Sequence, residues 1–550
     1  MIARRVPAGK YVVAGLALAS LGLSSPADAQ TSPRGVPADR PDQSAVIPPP
    51  ARVAPLKVPT PARNPQAAIR PFVLGRVEVA GSTLPPAQIA QVTQPYAGRT
   101  IDNPALSAIT NALAARYAKS DVALYTVLVP EQRFEGGTLR LAVVEGYVAR
   151  IEIRGKLRKS RLALLQAYLR RLERERPLRT STLQRVLSFV RDMSGVTATP
   201  RFERGTAQGA VTLVVTVSEK PIQISFGAND RGTALLGRTQ VQLDTLVSGL
   251  LTGGDQLRAT LVLPTHVDRF QYLAGAYTTP LDSDGTSITG NLSYLRTRPS
   301  IFPIKGDATS FGVQLTRALI RRYDRNWTAT IGIDGIDSNN ALFGYTLSND
   351  RIRTLRLASS YTTAGKRNLL TLGATASFGL DIAGARVIPG QSDQRFRKVS
   401  GRIADTLQIG KTVVLRLNGF GQATGDRLPS SEQIALGGDE FGRAYEAALI
   451  TGDTGYAGSA ELAWLPLHGL PSAFKGSELY LYTDGGRVTY RSRFGLEAIP
   501  AHLASFGGGM RLHVAQRTMV QIEAVRGLSN PVVYEDREKA RVLFSIRSLL

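Results

Sequence analysis

Across 222–550 apolar residues recur at every second position. The clearest runs are Leu257/Ala259/Leu261/Leu263, Phe270/Tyr272/Ala274/Ala276, Ile288/Gly290/Leu292/Tyr294 and Trp327/Ala329/Ile331/Ile333, bounded by clusters of Gly, Asp and Asn. Period-two alternation over about ten residues predicts transmembrane β-strands with these residues facing lipid and the polar ones facing inward. A sheet in a bilayer satisfies its backbone only by closing on itself, so a barrel follows. About 330 residues at roughly 20 per strand and connection give about 16 antiparallel strands. The segment 541–550 supplies the last, with Val542, Phe544 and Ile546 on one face. A soluble β-sandwich would alternate in the same way, but the length of the run and the character of the N-terminus favour the membrane.

Ahead of the barrel the periodicity switches between strand and helix. A strand at 72–79, a short helix at 84–92, a longer one at 103–120 and strands at 123–129 and 138–144 give the order β-α-α-β-β. In the longer helix Leu106, Ile109, Leu113 and Tyr117 share a face, and Asn103 is the expected N-cap. The same order then repeats: a strand at 148–153, helices at 160–172 and 180–193, and strands at 197–203 and 210–217. Residues 71–147 and 148–220 are thus read as two related modules, and 221–550 as the barrel.

The N-terminus places them. Arg4, Arg5 and Lys10 precede an apolar run at 11–23, and Ala27-Asp28-Ala29 offers a small-x-small cleavage site, so 1–29 reads as a secretory signal peptide. The apolar run is too short to span a bilayer. Ten prolines between Pro33 and Pro65 make 30–70 an extended, semi-rigid periplasmic linker. No plug helix is legible in it.

Composition narrows the chemistry. The 550 residues contain no cysteine and only four histidines, none at HxxxH spacing, so no disulfide, thiolate or histidine-bound metal site is expected. No GxSxG, phosphate loop or catalytic cysteine points to an enzyme, and no cofactor is implied. The net charge of +24 would suit nucleic acid, but the arginines are scattered and no recognition signature accompanies them, so nucleic-acid binding is not expected. The densest basic stretch, Arg150 to Arg191, leaves two readings open. It is either the solvated face of two amphipathic helices or a docking surface for an acidic partner or lipid headgroups.

The layout resembles the outer-membrane transporters of two-partner secretion, the TpsB or haemolysin secretion/activation proteins. Asn229-Asp-Arg-Gly232 with Gly254-Asp-Gln-Leu257 looks like that family's first barrel hairpins, and Tyr277-Thr-Thr-Pro-Leu281 like one of its strand ends. Leu436-Gly-Gly-Asp-Glu-Phe-Gly-Arg-Ala-Tyr445 is similar to the tip of its long extracellular loop, which folds back into the barrel. Here Gly442-Arg443-Ala444-Tyr445 keeps the arginine and the aromatic ring but has glycine where the family motif has valine and alanine where it has glycine, so the turn after Arg443 becomes a question. Tyr482-Thr-Asp484-Gly-Gly486 matches the aromatic-x-aspartate-x-glycine motif of a later strand.

The resemblance implies two periplasmic POTRA domains before a 16-stranded barrel in the outer membrane of a Gram-negative bacterium. It implies a monomeric pore that recognises an unfolded adhesin- or haemolysin-like exoprotein through its POTRA domains and exports it without ATP. A barrel-assembly factor of the same superfamily is the alternative, and a passive porin a remote one. Gly442, Arg443 and Tyr445 on the loop and Tyr482, Asp484 and Gly486 on the wall are the expected secretion motif. A guanidinium in a hydrated lumen needs an anion, so a bidentate Arg443–Asp484 pair is expected. Gly485 and Gly486 should let the loop backbone approach.

Overall fold

The computed structural model describes residues 69–299, 304–343, 345–466, 471–515, 517–529 and 540–550. The signal peptide and nearly all of the proline-rich linker lie outside the described residues.

Two β-α-α-β-β units lead the chain. In the first, the expected strand at 72–79 is broken in two: Phe72–Val73 pairs with Thr100–Ile101, and Arg76–Ala80 lies parallel to Thr138–Glu145. The break falls at Leu74 and Gly75, whose amides turn to the carbonyls of Arg99 and Gly137. Tyr125–Leu128 completes the sheet. The helix Asn103–Tyr117 is capped one residue earlier than expected, by Asp102 and not Asn103, the Asp102 carboxylate accepting the Ala105 amide at 2.9 Å. Leu106, Ile109, Leu113 and Tyr117 are buried as their spacing predicts. In the second unit Tyr147–Arg154 lies parallel to Ala210–Glu219, which Val196–Arg204 flanks on the other side, under the helices Lys159–Glu173 and Thr180–Asp192.

A closed antiparallel barrel of sixteen strands follows, from Ile222–Asn229 to Ala540–Leu549. The seam between those two is short, pairing Ser545–Leu549 with Asn229–Ser225 in register. Leu292, Ile331, Ile333 and Val542 point outward, as expected. The set Phe270/Tyr272/Ala274/Ala276 does not. Its strand Phe270–Pro280 presents Leu273 to the outside, while Phe270, Tyr272 and Ala274 pack in the lumen with Leu236, Val262, Leu295 and Ala308. Leu236, from the connection after the first strand, covers them, so apolar alternation here marks an internal cluster.

Part of the basic stretch of the second unit answers to neither sequence reading. Arg185 donates to the Asp284 carboxylate at 3.2 Å and to the carbonyls of Asp284 and Ala318 at 2.8 and 3.0 Å. Arg171 meets the same carboxylate at 2.9 Å, and Asp192 receives both ends of the Arg321 fork at 2.8 and 2.6 Å. Phe189 packs against Ala318. Part of the basic face therefore holds the second unit against the barrel's periplasmic turns.

Candidate functional site

Between the eleventh barrel strand, Val413–Thr424, and the twelfth, Thr454–Trp464, the chain folds back into the lumen. A short ladder of Ile434–Leu436 with Ile450–Gly452 gives this loop a stem, and 437–449 form its tip. Acids outnumber bases six to two over 425–453, in a chain of net charge +24. The wall answers with arginines and lysines at the stem and with carboxylates at the tip.

At the stem the key group is Glu432, fully buried. Its carboxylate receives Arg356 Nη2 at 2.8 Å and Nη1 at 3.2 Å, and meets Lys398 Nζ at 2.8 Å. Arg356 is also gripped by Asp334 at 2.6 and 3.0 Å. Above, Asp453 accepts the amides of Leu428 and Arg491 at 2.7 and 2.8 Å and both ends of the Arg493 fork at 2.8 Å. Arg493 ties the loop's root to the neighbouring connection through the Gln391 carbonyl.

At the tip the structure brings Arg443 and Asp484 together, but not as a bidentate pair. Asp484 Oδ2 accepts the Arg443 backbone amide at 3.1 Å, while the guanidinium Nε stands 3.9 Å away and makes no hydrogen bond. The other carboxylate oxygen takes the Ser505 hydroxyl. The guanidinium instead donates to Glu461 at 3.0 Å, lies 3.6 Å from Glu523 and stacks 4.2 Å over the Tyr482 ring. A side chain that follows its own backbone to Asp484 cannot also turn its fork there, so direction comes from the amide and charge balance from Glu461.

Tyr482 and Asp484 share the inward face of the strand Glu478–Tyr490, as alternation predicts. Of the two following glycines, Gly486 serves the loop: a Cβ there would stand 2.7 Å from Leu436. One at Gly485 would instead meet Leu503 and Ala504 of the next strand. The left-handed residues of the tip are Gly437, Gly438, Gly442 and Ala448, of which Gly442, at φ 88°, adjoins Arg443, while Ala444 is not in that region. The alanine substitution therefore falls where the backbone does not demand glycine. Tyr445 carries its hydroxyl to the Ala504 and Ser529 carbonyls at 3.0 and 2.8 Å, pinning the far side of the tip.

Sequence reasoning missed Glu432, Glu461, Glu523 and Arg231. Glu523 is the hub of the tip, receiving Arg231 at 3.1 Å, Tyr480 at 2.5 Å and Tyr482 at 3.2 Å. Arg231 bridges it to Asp439 of the loop at 2.7 Å. The signal was available for the strand residues: an ionisable side chain at an inward position of a membrane strand demands a partner. Among the described residues no cluster could hold a metal ion.

The family model described as haemolysin secretion/activation protein ShlB/FhaC/HecB matches residues 209–512, and that of the ShlB-type POTRA domain matches 72–146. The heme/hemopexin transporter protein HuxB of Haemophilus influenzae is 20% identical over 486 residues, covering 82% of each chain. The outer membrane transporter CdiB of Escherichia coli O6:K15:H31 is 23% identical over 412 residues, 72% of this chain and 69% of the relative. Among solved structures, CdiB from Escherichia coli superimposes with a TM-score of 0.72 at 19% identity, over 91% of this chain and 94% of that one. CdiB from Acinetobacter baumannii gives 0.63 at 16% identity, over 91% and 95%.

Proposed function

Since the chain belongs to the haemolysin secretion/activation protein family, and is an outer-membrane β-barrel transporter with POTRA domains in the periplasm, we propose that it exports one unfolded exoprotein of the adhesin or haemolysin type. The exoprotein is captured as an extended segment by the periplasmic units and crosses the barrel as a single chain without ATP. The observation that carries this reading is the in-folded loop. Its tip is tethered by shared ion pairs and not by strand pairing, so it can leave the lumen without breaking the barrel ladder. Residues 442–445 and 482–486 then work as one latch, with Arg443 as its charged bolt.

Capture fits the two small sheets. Tyr125–Leu128 and Val196–Arg204 are edge strands, each paired on one side among the described residues, and an incoming strand can add to such an edge through main-chain hydrogen bonds. The barrel closes within one chain, which suits a monomer.

The test is reconstitution into vesicles with no nucleotide, adding the unfolded N-terminal secretion domain of an exoprotein that this chain secretes in cells. Uptake into a protease-protected space supports the reading. Uptake that needs ATP, or none with intact protein, sinks it. Deleting 72–145 should leave a heat-modifiable barrel that no longer exports, and normal secretion by that variant would place recognition elsewhere.

A further inference from the structure

The periplasmic turn after the second barrel strand, Gln240–Ser248, carries an unusual pair. Leu250 is 51% exposed and Leu251 76%. Two adjacent leucines at a turn tip have no reason to face water. They continue downward the lipid-facing surface that Val241 and Leu243 begin on the strand above, and exposed Leu281 repeats the feature at the next periplasmic turn.

Against this turn stands the start of the helix Lys159–Glu173, where the charge pattern is inverted. Lys156, Arg158 and Lys159 are exposed, and no acidic residue occupies the first turn of the helix. Cations at a helix N-terminus oppose the helix dipole, so the arrangement calls for an external anion. Arg158 Nη1 reaches the Gly249 carbonyl at 3.4 Å, which places its charge beside the leucines.

Arg161, on the same turn of helix, is fully buried against Gly249, and its Nε and Nη2 have no hydrogen-bond partner. The carboxylate beside this group is Glu219, which accepts the Arg158 amide at 2.7 Å and lies 4.0 Å from the Arg158 side chain and 3.9 Å from Arg161. This one acid is shared by Arg158 and Arg161, with Lys156 and Lys159 adding to the positive charge of the same turn.

We propose that Lys156, Arg158 and Lys159 with Leu250 and Leu251 form a binding site for an anionic phospholipid of the periplasmic leaflet. The leucines enter the acyl boundary, the basic side chains hold the headgroup phosphate, and the buried Arg161 charge strengthens the field there. The inference depends on the outer-membrane location and not on what is exported. It gives the second periplasmic unit a tether to the bilayer as well as to the barrel.

The experiment is covalent lysine labelling of the full-length protein in nanodiscs, read by mass spectrometry. With 30% phosphatidylglycerol in phosphatidylcholine, labelling of Lys156 and Lys159 should fall at least about fivefold relative to pure phosphatidylcholine, while Lys119 in the first unit stays unchanged. Leu250→Asn with Leu251→Asn should abolish most of that protection while the barrel remains heat-modifiable. Equal labelling in both lipids overturns the proposal. So does equal protection by glycerol phosphate alone in detergent, which would mark a site for free phosphate. Protection that survives the leucine substitutions removes the membrane-insertion part and overturns the lipid assignment with it.

Discussion

The loop in the lumen is held at two places built with opposite polarity. At the stem a loop carboxylate, Glu432, sits between wall cations; at the tip a loop cation, Arg443, sits among wall carboxylates. The stem contacts are short and wholly buried, at 2.8 Å from both Arg356 and Lys398. The tip contacts are longer and shared, at 3.0, 3.6 and 3.9 Å from three acids, each of which has another partner. Glu461 keeps Arg511 and Arg416, Glu523 keeps Arg231, and Asp484 keeps Ser505. A group held by many loose contacts to already balanced partners is cheaper to release than one held by a few tight ones. The stem therefore behaves as a fixed mount and the tip as the part that lets go.

The strongest way to break this comparison is at the stem. Glu432→Ala removes the carboxylate shared by Lys398 and Arg356, which keeps Asp334, at a fully buried site, a loss of up to about 3–5 kcal/mol in loop anchoring. Secretion should nearly cease, and protease added to intact cells should cut within 425–453 at least tenfold faster. The sixteen strands pair with one another and not with the loop, so heat-modifiability should persist. A milder defect than that of Arg443→Ala would reverse the assignment of mount and latch.

Arg443→Ala comes next. The guanidinium is partly solvated and its acids are otherwise paired, so the cost is about 2 kcal/mol, below that of a fully buried pair. Secretion should drop sharply with the loop still seated by its stem, hence with little change in protease cutting. Arg443→Lys should restore only part of the activity, since an ammonium cannot both stack on Tyr482 and reach Glu461 as the planar fork does.

How far the site was legible follows from the same residues. Alternation placed Tyr482 and Asp484 on one face, because the period of a strand fixes its faces, while the resemblance pointed that face inward and chain length gave the count of about sixteen strands. It misassigned Phe270, Tyr272 and Ala274, because a lumen covered by a connection is as dry as lipid and selects the same residue types. The arrival of Arg443 near Asp484 was expected from the motif, but the exchange of its guanidinium to Glu461 was not. That choice depends on which way the tip backbone runs, a tertiary fact set by Gly442 and by the Tyr445 hydroxyl 41 residues before Gly486 in the chain. Glu432 had no motif at all, since its partners Arg356 and Lys398 come from distant strands.

A double-mutant cycle sharpens the tip. If Glu461 balances the charge and Asp484 holds the amide, Arg443→Ala should couple to Glu461→Gln by about 1 kcal/mol or more. Its coupling to Asp484→Asn should be smaller, because an asparagine oxygen still accepts the Arg443 amide. The secretion rates of the parent chain, the single variants and the double variant, each converted to a free energy, give the coupling. Stronger coupling to Asp484 than to Glu461 would restore the direct ion pair and make the observed arrangement a side issue.

The smallest effect is expected at Ala444, where the family motif has glycine. If the tip needed a left-handed residue after Arg443, Ala444→Gly would relieve strain and improve the latch. The left-handed residue beside Arg443 is Gly442, however, and Ala444 is buried with Ala463, Tyr480, Tyr482, Val525 and Leu543. Glycine there would remove a packed methyl and free the unfolded loop, each worth under about 1 kcal/mol against it. Secretion should stay within about twofold of the parent chain, and protease cutting of the loop should rise slightly. A clear gain in export would mean that the tip passes through a left-handed state at Ala444 while releasing, and the latch would then be a backbone flip as much as an ion pair.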